Sequence, residues 1–153
     1  ERLDPGKSAE AIKDKKLDAF FWVGGVPTPA VTDLGATPGL KLKLIDHADS
    51  TEPMVKRFGP LYVRDVIPAK SYPGQDAPNQ ITTVWNVLVA PASMSDEMAY
   101  NIVKTVFDRK EDMVRVHKEA QSFDLKYQTN GAAVIPFHPG ARKYFAEKGV
   151  KLQ

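Results

Sequence analysis

The run Leu17-Asp18-Ala19-Phe20-Phe21-Trp22-Val23 closes on Gly24-Gly25 and leads into Val26-Pro27-Thr28-Pro29. A short apolar segment rich in aromatics and ended by glycines predicts a buried strand over Leu17–Val23. Thr28 is a good N-cap and Pro29 suits the first helical position, so a helix is expected from there through about Leu34. Strand, glycines and helix in that order define an α/β unit. In open α/β folds, ligands bind beyond the carboxyl ends of strands, where loops meet helix N-termini. Glycines let a ligand approach the backbone, amides at a helix start attract an anion, and Trp22 can wall a pocket. The same segment also reads as a tight strand-to-helix turn with nothing bound, and the residues alone leave both readings open.

Around this segment the pattern continues to alternate. A helix is predicted from about Ser8 to Lys16, with Pro5-Gly6 as a breaker before it and Ser8 as its cap. Leu40–Ile45 alternates with period two, which predicts a strand with one wet face and leaves Lys41 and Lys43 in solvent. Ser50 or Thr51 caps a short helix through Phe58, ended by Gly59-Pro60, and Leu61–Ile67 is extended. Tyr72-Pro73-Gly74-Gln75 has the residues of a type II turn. It reads equally as a surface turn and as a loop reaching over a cleft. Ile81–Ala90 predicts a second buried strand. A long helix runs from Ser95 to about Arg109 with Met98, Ile102, Val103, Val106 and Phe107 on its apolar face. A further helical segment covers about Glu111–Gln121. The last helix follows Pro136-Phe137-His138-Pro139-Gly140, packs through Tyr144 and Phe145, and stops at Gly149. Strands alternating with helices give an α/β class with a largely parallel or mixed sheet. The strands are few for 153 residues, as in part of a larger assembly.

Composition excludes more than it identifies. An apolar fraction of 42% and a charged fraction of 26% belong to a soluble globular domain. A net charge of +2, with basic residues scattered among acidic ones, gives no footprint for nucleic acid or a membrane surface. No apolar run approaches the roughly 18 residues that span a bilayer. The chain opens on Glu1 without a signal peptide, which predicts a mature or truncated product. With no cysteine there is no thiol nucleophile, disulfide or thiolate metal site. His47, His117 and His138 lack metal-ligand spacing. His117 reads as a helix-surface residue and His138 as a residue that positions the last helix. No serine lies in a G-x-S-x-G elbow and no phosphate-binding glycine motif is present. Asp46, Asp49 and Glu52 gather at a helix start, where capping and solvation account for them. No catalytic residue, metal or cofactor is assigned.

Three stretches carry a family likeness. Ala11–Val31, with its D-A-F-F-x-x-G-G strand and P-x-P-A-V helix, resembles the middle of the TAXI solute receptors that serve TRAP-type transporters. Ile67-Pro68-Ala69-Lys70-Ser71-Tyr72-Pro73-Gly74-Gln75 is similar to their I-P-A-x-x-Y-x-G-Q stretch. Ile135-Pro136-Phe137-His138-Pro139-Gly140-Ala141 with Tyr144 is similar to their terminal I-P-x-H-P-G-A-x-x-Y-Y. The landmarks keep their order and span nearly the whole chain.

The resemblance implies a type II periplasmic binding-protein fold, in which two α/β lobes close over a ligand. It implies that this chain is the C-terminal half of such a receptor. Residues 1–45 would finish the second lobe, and residues 46–153 would carry the crossing segment and the rest of the first. The implied function is non-enzymatic: capture of a small organic anion in the bacterial periplasm and delivery to a TRAP membrane subunit. The implied ligand is a carboxylate such as glutamate, glutamine or a dicarboxylate. The loop of Trp22, Gly24, Gly25, Val26, Pro27 and Thr28 would face the cleft, with Tyr72 contributing from the other lobe. Enzymes and regulatory effector-binding domains share this two-lobed fold and form the alternative. A purely structural module would give the Gly-Gly-x-Pro-x-Pro loop no purpose.

Overall fold

The computed structural model describes residues 2–129 and 135–152. The chain forms two compact units, Glu1–Met54 with Val63–Thr83, and Val55–Tyr62 with Val84–Gln153.

The first unit opens with helix α1 (Pro5–Lys13). Its cap is Asp4, whose carboxylate accepts from the Lys7 amide at 2.9 Å. Ser8, the expected cap, lies buried inside the helix. Pro5 begins the helix rather than breaking it, because a proline in the first turn removes an amide that would have no partner there. At the other end Lys15 takes φ +58°. The Lys16 amide donates to Ala11 O at 2.8 Å and the Lys15 amide to Ile12 O at 2.9 Å, closing the helix with a left-handed residue. Helix α2 (Pro29–Ala36) packs on α1. Small Ser8 and Ala9 allow the approach, Leu34 on α2 is fully buried, and Lys13 pairs with Asp33 at 2.5 Å.

A short 3-10 turn, Ala48–Ser50, runs into α3 (Thr51–Phe58), which stops at Gly59 with φ +90°. Strands β1 (Tyr62–Ile67) and β2 (Asn79–Val84) make a two-stranded sheet. The chain passes between the units within α3, β1 and β2. Just before the 3-10 turn, Asp46 and His47 are clasped to β2. The Asp46 carboxylate accepts from the Asn79 side-chain amide and from the Gln80 backbone at 2.8 Å. The His47 amide donates to Gln80 O at 2.9 Å, and His47 Nδ1 accepts from the Thr82 amide at 3.2 Å. Asp46 is therefore a tertiary acceptor and not part of a helix-start cluster.

Three expected strand segments do not form. Leu17–Val23, Leu40–Ile45 and the second half of Ile81–Ala90 carry no strand pairing. Phe21 is 96% exposed, and Val87, Leu88 and Val89 also face solvent. A strand exists through its ladder, and among the described residues only β1 and β2 supply one. The period-two signal of Leu40–Ile45 survives as burial. Leu40, Leu42 and Leu44 are half-buried, while Lys41 and Lys43 are exposed as expected.

The second unit is helical. Helix α4 (Asp96–Asp108) is capped by Ser95, whose hydroxyl accepts from the Met98 amide at 3.2 Å. It packs against α6 (Pro139–Glu147), and Tyr100, Val103 and Phe107 of α4 press on Ala141, Tyr144 and Phe145. The rings of Phe107 and Tyr144 stack at 5.9 Å, and those of Tyr100 and Tyr144 meet edge-on at 5.9 Å. The expected apolar face of α4 is thus rotated: Val103 and Phe107 are packed, while Met98 and Ile102 are exposed. Aromatic contacts at Tyr100 and Phe107 outweigh the aliphatic stripe. Helix α5 (Lys110–Val116) ends at His117, whose extended backbone interrupts the helix expected to Gln121; a 3-10 turn, Lys118–Ser122, follows. His138 caps α6 as expected. Its Nδ1 accepts from the Gly140 amide at 3.2 Å, which leaves the ring proton on Nε2, 3.1 Å from Met94 O. A Cβ at Gly140 would lie 2.1 Å from Asp96 O, so glycine is what lets the N-termini of α4 and α6 meet. Gly149 ends the chain's last helix at φ +73°.

Candidate functional site

Two segments 44 residues apart meet in the first unit: the Trp22–Pro29 loop and the Tyr72–Gln75 turn. Thr28 stands at their junction. Its amide donates to the Tyr72 hydroxyl at 3.0 Å. Its hydroxyl donates to Gly25 O at 2.8 Å and accepts from the Trp22 indole N–H at 3.1 Å. The sequence reading gave this hydroxyl to α2 as a cap. In the structure α2 has no side-chain cap, because the hydroxyl's proton and an acceptor site are turned back into the loop.

Trp22 folds over its own loop. A Cβ added at Gly24 would lie 2.4 Å from the indole nitrogen, so this glycine makes room for the indole. The side of Trp22 not used in this packing remains open, at 46% exposure. Gly25 and Val26 are half-buried and Pro27, joined to Val26 by a cis peptide bond, is exposed.

The turn is braced from three sides. Gly74 takes φ +78° and the Gln75 amide donates to Tyr72 O at 3.1 Å, the type II turn expected. The Gln75 side chain accepts from the Tyr72 amide and donates to Ile67 O, both at 3.3 Å. Against α2, a Cβ on Gly35 would meet Pro73 O at 3.0 Å. Tyr72 is 5% exposed. Its hydroxyl bonds Thr28 within the same unit.

Trp22, Gly25, Thr28 and Tyr72 are therefore brought together as one hydrogen-bonded group. Pattern reading missed the bracing role of Gln75 and the clasp between Asp46 and Asn79; a glutamine three residues beyond the tyrosine in the turn was the available signal for the first. Among the described residues no cluster of His, Asp and Glu could hold a metal ion, and no helix is long and apolar enough to cross a membrane. Elsewhere, Met98, Ile102 and Val106 floor an open depression on α4, edged by Ser95, Glu97 and Asn101. It lies in the second unit, which holds none of the sequence-predicted site residues.

The architecture is a mixed α/β one in which Trp22, Gly25, Thr28 and Tyr72 form one hydrogen-bonded group. Over residues 1–149 the sequence matches the NMT1-like family, and the chain belongs to it. This is a periplasmic-binding-protein-like family whose role is solute binding in general and whose members are typically extracytoplasmic.

Proposed function

We propose that this chain is the C-terminal half of a TAXI-class receptor of type II periplasmic binding-protein fold. It captures a small carboxylate, such as glutamate, glutamine or a dicarboxylate, in the periplasm and delivers it to a TRAP membrane subunit. The carrying observation is the Trp22–Thr28–Tyr72 group, which orients an open indole face beside the start of α2. The indole would cover the aliphatic part of the solute. The amides of Gly24 and Gly25 and the start of α2, which Thr28 leaves uncapped, would attract the carboxylate. Val26, Pro27, Thr28 and Tyr72 complete the site in this reading, with Thr28 and Tyr72 as its frame. In this reading residues 1–45 would end one lobe and residues 46–153 would cross into the other, a division by family position that differs from the two compact units, which part within α3, β1 and β2. Exposed Phe21, Val23 and Val87–Val89 are where strands from the N-terminal half would pair.

Calorimetry with glutamate, glutamine and a dicarboxylate tests this on the receptor, wild type against Trp22→Ala and Gly24→Ala. Both variants remove the indole from its seat, and affinity should fall about tenfold or more, the worth of one well-made contact. Unchanged affinity in both would move the site elsewhere, and binding confined to sugars or cations would discard the ligand class.

A further inference from the structure

The geometry points to Tyr72 as a positioning residue that holds the Trp22 indole in place without contacting solute itself. The inference rests on reading Trp22–Pro29 as the binding loop.

Three hydrogen bonds run in series. The buried Tyr72 hydroxyl accepts the Thr28 amide, the Thr28 hydroxyl donates to Gly25 O, and the same hydroxyl accepts the Trp22 indole N–H. Both ends of the series are fixed from outside. The Gln75 amide group, the left-handed Gly74 and the contact at Gly35 hold the tyrosine end, while the close approach to Gly24 holds the indole end. Thr28, itself buried, is the link between them. Its hydroxyl has two competing uses: the present loop bonds, or the N-cap position of α2 that it leaves unfilled. Tyr72 decides between them by satisfying the Thr28 amide and fixing its backbone. Removing the phenolic oxygen leaves that amide buried without an acceptor, so Thr28 reorients toward the cap and the indole loses its acceptor.

The test is an ¹⁵N spectrum of the chain without added solute, with the two indole signals assigned through Trp22→Phe. Trp85 lies in the other unit against Tyr127 and serves as the internal control. In Tyr72→Phe the Trp22 indole N–H should shift and exchange about tenfold faster, the cost of one lost hydrogen bond, while the Trp85 signal stays. Thr28→Ser keeps the hydroxyl and should retain the wild-type signal. An unmoved Trp22 signal in Tyr72→Phe, with Thr28→Val shifting it, would overturn the role of Tyr72. Should Tyr72→Phe fail to fold, the wild type decides: a protected Thr28 amide with a nuclear Overhauser contact to the Tyr72 ring supports the series, and an unprotected one overturns it. A chain that binds no carboxylate would still show or lack this series, so the two readings fail separately.

Discussion

The two units are held together by different physics. In the second, Phe107, Phe137, Tyr144 and Phe145 meet ring against ring around α4 and α6, and the apolar area they remove from water stabilises the unit. In the first, the apolar centre is small, chiefly Val31 and Leu34 beside Ala9, and distant segments are joined by polar contacts. Thr28 reaches Tyr72, Asp46 reaches Asn79, and His47 reaches Thr82. Apolar packing tolerates the loss of one hydrogen bond because many contacts share the work. A buried polar link does not, since the partner left behind keeps its desolvation penalty. The candidate site lies in the unit whose geometry depends on individual atoms, as a site needing fixed donors requires.

The sharpest blow to the helical unit is a single methyl group. Gly140→Ala puts a Cβ about where the Asp96 carbonyl stands, against backbone that has no rotamer to escape into. We expect a loss of about 3 kcal/mol, the upper end for overpacking. Denaturant unfolding followed at Trp85 should show it, with the Trp22 indole signal unchanged before the transition. If Gly140→Ala disturbs Trp22 as strongly as Trp85, the contrast between the units is wrong.

This contrast explains which features were legible in the sequence. Helix ends carry their own chemistry within a few residues: Ser95 before α4, His138-Pro139-Gly140 at α6, and Gly59 and Gly149 as stops. Period-two alternation correctly sorted Leu42 from Lys43 by burial. It did not make a strand, because a ladder depends on a partner that local pattern cannot reveal. The aromatic run at Phe20–Val23 failed for the same reason. At the candidate site, Trp22, Thr28 and Tyr72 were legible as residue types fit for a pocket. Their mutual bonds were not, since a contact over 44 residues leaves no spacing signature. Thr28 shows this best: the position of the cap was right, and its hydrogen bond was not.

A paired deletion probes the contrast at moderate size. Gln75→Ala removes the side chain that closes the turn on Tyr72 N and Ile67 O. Tyr100→Phe removes a 2.7 Å hydrogen bond to Glu147 at the surface of the helical unit. We expect the first to cost about 1 kcal/mol and to raise quenching of Trp22 fluorescence by acrylamide. The second should cost at most about 0.5 kcal/mol and leave quenching unchanged, because both groups recover water. Quenching measured in a Trp85→Phe background separates the two. Equal effects would show that polar links matter no more in the first unit than in the second.

The smallest effect is a pH dependence of the helical unit, centred on Asp108. The hydrogen bond from Lys104 holds its carboxyl below the usual range, and Lys148 and the Tyr144 hydroxyl favour its charged form further. A depressed folded-state value means stability fully present above the unfolded carboxylate value, about 3.9, and lost as pH falls through the folded one. Tyr144 works in the opposite direction. Burial, then the Asp108 charge, raises its hydroxyl above the ordinary tyrosine value. Its contribution is therefore complete below about pH 10 and is lost as pH rises through the raised value. Melting temperature in the helical unit should sag at both extremes. In Asp108→Asn the acid-side loss should shrink, and the alkaline loss should shrink with it, because the charge that helps raise the Tyr144 hydroxyl is gone. The change is modest, since the Asp108 side chain is 36% exposed and water screens its partners. Melts of both proteins from about pH 3 to about pH 11, followed at Trp85, provide the test. Parallel curves would remove Asp108 and Tyr144 from the account, leaving ring packing alone to set the stability of this unit.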